Sequence, residues 1–134
     1  MDLSKLTNKV AAVIISEGKM LILQGKDGKW EFPNVILGED EKVDNAIINL
    51  SKNKLNVDVV PAAEIGSIEK STGDAIEIVM FIHVNTGNPG GVAVSGDYTA
   101  SNYVSFAEFE KLDLAENEKK FLEVCVDDLI KHLG

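Results

Sequence analysis

Glu39, Asp40, Glu41 and Asp44 crowd carboxylates into one short stretch. Such a group could hold a hard divalent cation or handle a proton. It could equally sit at the start of a helix, where acids favour the dipole and cap free amides. The following stretch reverses the charge: Asn45 to Val57 contains no Asp or Glu and carries Lys52 and Lys54. Lysines placed there can meet an anion such as phosphate, or stand as solvated surface. Lys26, in a KDGK turn, has the same two readings, and Asp97 in a glycine-rich loop suits a pocket or a turn. The two histidines, His83 and His132, are far apart in the chain, so no His-based metal site is expected. Cys125 lies among apolar residues at helical spacing, which fits a packed thiol better than a nucleophile. Lys70-Ser71 follows Glu69, where a phosphate-binding loop needs glycine, and TGNPGG lacks a strand-turn-helix setting.

These residues need elements to position them. Lys9 to Ile15 is apolar on both alternating faces, which predicts a central strand buried on both sides. Glu17-Gly18 turns the chain, and Met20 to Lys26 completes a hairpin. From Glu41 to Leu55, Val43, Ala46, Ile47, Leu50 and Lys54 recur at helical spacing. Val57 to Lys70 reads as extended, and Pro61 and Gly66 suggest an edge or a bend. Ala75 to Val84 alternates as a strand, and Thr86 to Asp97 is a long loop. A short strand near Tyr103 to Phe106 leads into Ala107 to Leu112, then a long amphipathic helix from Ala115 to Leu133 buries Phe121, Leu122, Cys125, Leu129 and Leu133.

The chain's 134 residues suit one domain, 1–134, with 45% hydrophobic and 26% charged residues. A net charge of −9 disfavours contact with a nucleic-acid polymer but leaves room for a small anionic ligand beside a few lysines. No apolar run approaches a membrane-spanning length, MDLSKLTNK does not read as a signal peptide, and one cysteine permits no internal disulfide. The expected setting is the cytoplasm, as a monomer or homodimer.

The order hairpin, helix, strands and terminal helix describes a mixed sheet covered by helices. WEFPNVILGEDEKVDNAIINLSKNKLNVDV, Trp30 to Val59, resembles the Nudix (MutT-like) superfamily, whose W-x-F-P-G-G turn precedes a helix with the pattern G-x5-E-x7-R-E-U-x-E-E-x-G-U, U being aliphatic. Trp30, Glu31, Phe32, Pro33, Glu41, Ala46 and Leu55 match, and YVSFAEFEKLDL from Tyr103 to Leu114 resembles a later stretch of the family. Asn34 and Val35 replace the paired glycines, Asn49 the arginine, Leu50, Asn53 and Lys54 the three glutamates, and Asn56 the last glycine.

The resemblance implies an α/β (α+β) sandwich with a central Nudix-type helix and a C-terminal helix. It places Lys26 near an arginine that reaches substrate phosphate in many relatives, and Asp97 and Tyr103 in the region that lines the pocket. Phe32, Asn34 and Lys54 complete the candidate ligand-binding set, although Tyr103 also suits the core edge. In Nudix enzymes the helix glutamates hold cations that bridge a diphosphate and help activate water. Leucine, asparagine and lysine cannot supply that cluster, so a nucleotide-like ligand bound without hydrolysis is expected, with no cofactor and no catalytic residue beyond Glu41 as a weak candidate. Two alternatives stay open: a diphosphate hydrolase using Mg2+ or Mn2+ on acids relocated to Glu64, Glu69 or Glu77 with Glu41, and an interaction module with no small ligand.

Overall fold

The computed structural model describes residues 6–88, 90–94 and 96–133. The expectation that MDLSKLTNK is no signal peptide falls largely on residues 1–5, outside that range.

The predicted hairpin forms from β1 (Leu6–Ser16) and β2 (Lys19–Gly25). Its turn, Glu17-Gly18, holds φ of 53° and 75°, a left-handed pair that matches the twist of the flanking strands. The two strands pair only near the turn, at Ile15 with Met20 and Ser16 with Lys19. Beyond it they splay, and the WEFPNVI segment fills the gap: β3 (Trp30–Glu31) pairs with β2 and β4 (Asn34–Ile36) pairs with β1. Ala12 N–H donates to Pro33 O at 2.8 Å and closes the wedge.

On its other side β1 runs parallel to β6 (Ala75–Thr86), which pairs antiparallel with β5 (Val59–Thr72) at the sheet edge. Pro61 therefore sits where a missing donor is tolerated, and the ladder bulges at Pro61/Ala63 and again at Glu64/Gly66. β7 (Tyr98–Val104) pairs with β2 on the opposite side. It starts earlier than the expected Tyr103, and Ser105 leaves it to cap α2 (Phe106–Lys111).

β1 is buried on both faces, as its unbroken apolar run requires. Ala11, Val13 and Ile15 join one core, while Val10, Ala12 and Ile14 join the other. The first core lies under α2 and α3 (Glu116–Leu133) and is centred on Phe32, Phe81, Phe109 and Phe121. Phe81 and Phe121 stack at 4.0 Å between ring centroids. Cys125 is buried here, packed against Gly66 at a non-helical step in α3. The second core lies under α1 (Val43–Leu55), which buries Ala46, Ile47, Leu50, Ser51 and Leu55. A mixed sheet with α1 on one face and α2 and α3 on the other is the expected sandwich. Among the described residues, no helix is long and apolar enough to cross a membrane.

Helix α1 begins two residues later than expected. Asp40 takes a left-handed φ of 62°, and Lys42 occupies the N-cap without a side-chain bond. Glu41 Oε1 instead accepts from Gly38 N–H at 2.9 Å, closing the preceding turn. The acids before α1 therefore do not cap its amides. At its other end Asn56 has φ 57° and donates its N–H to Ser51 O. That left-handed cap explains why asparagine stands where the family pattern has glycine, since both tolerate the conformation.

Candidate functional site

Two clefts meet beside α1. The first, about 410 Å³, has Leu23 and Pro33 at its base and is walled on one side by Leu50, Asn53, Lys54 and Leu55 of α1. Its other wall is the segment before β7, with Ala93, Val94, Gly96 and Asp97, joined by Tyr98, the first residue of β7. Ala93 N–H donates to Leu55 O at 2.9 Å, so the end of α1 fixes that wall. The second cleft, about 480 Å³, is lined by Lys26, Asp27, Lys29, Glu31 and Ala115 among others. Asn34, Asp97 and Tyr98 line both. Volumes of this size lie in the ordinary range for small-molecule sites.

The local sequence explains these positions. Asn34 sits on β4, where its Nδ2 donates to Phe32 O at 2.8 Å and turns the amide toward the junction of the clefts. Asn34 and Val35, in place of paired glycines, are extended residues opposite Ala11 and Val10. Lys26 follows β2 in a turn closed by Gly25 N–H to Lys29 O at 2.9 Å, with Gly28 at φ 85°. Its own N–H donates to Asp97 O at 3.1 Å, tying that turn to the loop before β7.

Behind the second cleft lies an acidic pair. Glu31 accepts a hydrogen bond from the Tyr98 hydroxyl. Burial, and then that bond, push the Tyr98 hydroxyl above its ordinary range. Glu118, in the first turn of α3, is 2% exposed. One carboxyl oxygen accepts from Phe32 N–H at 3.3 Å, and the other has no partner among the described residues. Burial, reinforced by the charge of Glu31, raises Glu118 to about 8, so it carries a proton at neutral pH.

Of the residues singled out from sequence, Lys26, Asn34, Lys54 and Asp97 come together around these clefts. Phe32 does not. It is fully buried, stacked on Phe109 at 5.2 Å, because β3 and β4 turn its ring toward the α3 face. Tyr103 also lies away from the clefts: it packs against the core under α1, with its hydroxyl buried and without a partner among the described residues. Glu41 is exposed on the turn before α1 and lines neither cleft.

The relocated acids do not converge. Glu64 and Glu69 are exposed on the edge strand, and Glu77 pairs with Lys9 at 3.4 Å. Among the described residues, no three His, Cys, Asp or Glu side chains group to hold a metal ion. Magnesium and manganese require oxygen donors. The α1 face on the first cleft offers Leu50, Asn53 and Lys54, and that donor set does not fit them.

Sequence reasoning missed three contributors. Tyr98 falls between the loop expected to end at Asp97 and the strand expected near Tyr103, whereas β7 runs from Tyr98 to Val104. Glu31 was noted only as a match to the family turn. Glu118 had a readable signal: it falls three and seven residues before Phe121 and Cys125, on the apolar stripe of α3.

Solved structures decide the fold. A protein designated ORF135 from E. coli aligns with a TM-score of 0.76 at 21% identity, over 92% of this chain and 90% of that one. A Nudix hydrolase from Nitrosomonas europaea aligns with a TM-score of 0.74 at 14% identity, over 95% and 90% of the two chains. The chain has the Nudix fold. An ADP-ribose pyrophosphatase from Streptococcus suis aligns with a TM-score of 0.73 at 21% identity, over 93% and 90%. No protein-family model matches the sequence, and no curated protein matches it. Within the Nudix fold, α1 is the helix that follows the WEFP turn, and the first cleft opens on its C-terminal half.

Proposed function

We propose that this chain binds a nucleotide-like phosphorylated ligand in the paired clefts without hydrolysing it. The supporting observation is the cleft wall formed by α1, where Asn53 and Lys54 stand exposed beside Leu50. A lysine ammonium and an amide can meet phosphate oxygens directly, whereas a lysine opposes a divalent cation at the same place. The clefts share Asn34, Asp97 and Tyr98, so one ligand can extend from Lys54 toward Lys26 and Lys29. Leu23, Pro33 and Tyr98 supply apolar and aromatic surface for a ribose or base.

Thermal-shift titration tests the reading with nucleoside di- and triphosphates, dinucleotides, ADP-ribose and nucleotide sugars, with and without magnesium or manganese. A ligand at a hundred times its Kd stabilises the native state by about 2.7 kcal/mol. The expected result is a metal-independent rise in Tm with at least one compound. Lys54→Glu is expected to weaken that compound by about tenfold or more, a loss of roughly 1.4 kcal/mol. A shift requiring metal and followed by phosphate release would establish a hydrolase instead. No shift with any compound would favour an interaction module.

A further inference from the structure

The two histidines, 49 positions apart in the chain, meet in the fold: His83 Nδ1 lies 2.8 Å from His132 Nδ1. The pairing follows from topology. His83 stands on β6 on the same face as Val79 and Phe81, and α3 lies across that face, bringing His132 of its last turn onto the strand. The rings meet edge to face, with centroids 4.9 Å apart and planes at 84°. Both are half-buried, and neither lines the ligand clefts.

The tautomers follow from the partners. His83 Nε2 is 3.0 Å from Asn85 Oδ1, an atom that only accepts, so Nε2 carries the hydrogen and Nδ1 presents its lone pair. His132 then donates from its Nδ1 to that lone pair. Asn85 thus orients His83 as an outer partner orients a metal-binding imidazole.

We propose that His83 and His132 form a two-imidazole site for a late first-row divalent metal, copper(II) foremost. Two metal–nitrogen bonds of about 2.0 Å span about 2.8 Å when they are 90° apart and about 3.3 Å when tetrahedral. The observed separation matches the cis arrangement of a square-planar ion. Copper(II) also heads the affinity order for nitrogen donors. On binding, both Nδ1 atoms donate lone pairs, and the hydrogen of His132 moves from Nδ1 to its outer Nε2, so no net charge is lost from either ring. Rotations of roughly 45° shared among the ring torsions re-aim the lone pairs from the N···N line to the ion, while β6 and α3 hold the ring origins in place. No third His, Cys, Asp or Glu side chain joins the pair among the described residues. Water completes the coordination, which sets the expected Kd in the micromolar range. The ion would clamp the end of α3 to the sheet.

The test is titration of the full chain with copper(II) at neutral pH, read by calorimetry and by electron paramagnetic resonance. The expected result is one equivalent bound, with hyperfine splitting from two imidazole nitrogens and a raised Tm. His132→Gln and His83→Gln should each weaken binding at least tenfold. His132→Gln also gives up the hydrogen bond to His83, so the copper-induced rise in Tm is compared with the metal-free melt of the same variant. Asn85→Ala retains both rings and should weaken binding only a few-fold. Undiminished copper affinity in His132→Gln, splitting from a single nitrogen, or zinc(II) bound more tightly than copper(II) would each overturn the assignment.

Discussion

Replacing Glu118 by glutamine should remove a specific pH dependence from the stability of this protein. Glu118 is 2% exposed, and burial with the charge of Glu31 raises it from the ordinary 4.5 to about 8. Each tenfold difference in proton affinity is worth about 1.4 kcal/mol, so the charged form is disfavoured in the fold by on the order of 5 kcal/mol. The sign follows from linkage. Between about pH 4.5 and 8 the native state keeps a proton that the unfolded chain has released, so stability falls as pH rises through that window. The contribution is complete below pH 4.5 and lost above pH 8. Glutamine is nearly isosteric with the protonated acid, can accept from Phe32 N–H through its carbonyl, and presents an amide where the second oxygen is unpartnered. Urea denaturation of both proteins from pH 5 to pH 9 measures the difference. The two should be nearly equal at pH 5 and diverge steadily, with the glutamine variant the more stable by several kcal/mol at pH 9. At about 2 kcal/mol per molar urea, a gap of about 5 kcal/mol moves the midpoint by about 2.5 M. A gap of the same size at both ends of the range would refute the assignment of a buried, protonated Glu118.

Three further substitutions test the packing. Gly66→Ala would place a methyl group 2.7 Å from Cys125 Sγ and should cost about 1–3 kcal/mol by chemical denaturation, with Cys125→Ala recovering part of it. Asn56→Ala, at φ 57°, should cost roughly 1 kcal/mol, while Asn56→Gly should be neutral or better, a contrast that thermal melts can resolve. Ser105→Ala removes the bond from Glu108 N–H at 3.2 Å in the capping box of α2 and should cost about 1 kcal/mol of unfolding free energy.

The fold was legible where burial acts along a strand or helix. Val10 to Ile15 can satisfy an unbroken apolar run only between two cores, and it does so. Pro61 marked the edge strand because a proline cannot donate to a ladder. The acidic stretch misled in part: Asp44 does stand in the first turn of α1, but Glu39, Asp40 and Glu41 precede the helix, and the backbone placed Glu41 on a turn closed by Gly38. Phe32 misled because residues two apart share a face only along an unbroken strand; Phe32 and Pro33 lie between β3 and β4, and across that break the ring enters the first core while Asn34 lines the clefts. The meeting of His83 and His132 depends on how α3 crosses β6. No local pattern encodes that crossing.

Helix α1 shows why fold and chemistry can be read separately in one segment. The positions it buries are Ala46, Ile47, Leu50, Ser51 and Leu55, and these are what the sheet requires of it. Asn49, Asn53 and Lys54, which occupy the family's arginine and glutamate positions, are exposed and make no demand on the core. Leu50 is the exception: it stands where the pattern has glutamate, yet it is buried to 7% exposure and also lines the first cleft. A carboxylate there would have to be solvated by the cleft or paired with a cation, whereas leucine keeps its apolar area from water at roughly 25 cal/mol per Å². Leucine at this position therefore favours the packed helix and offers no cation ligand. Leu50→Glu should lower the stability of the metal-free protein, and acids placed at Asn53 and Lys54 beside it test whether three carboxylates on this face suffice to bring magnesium to the cleft.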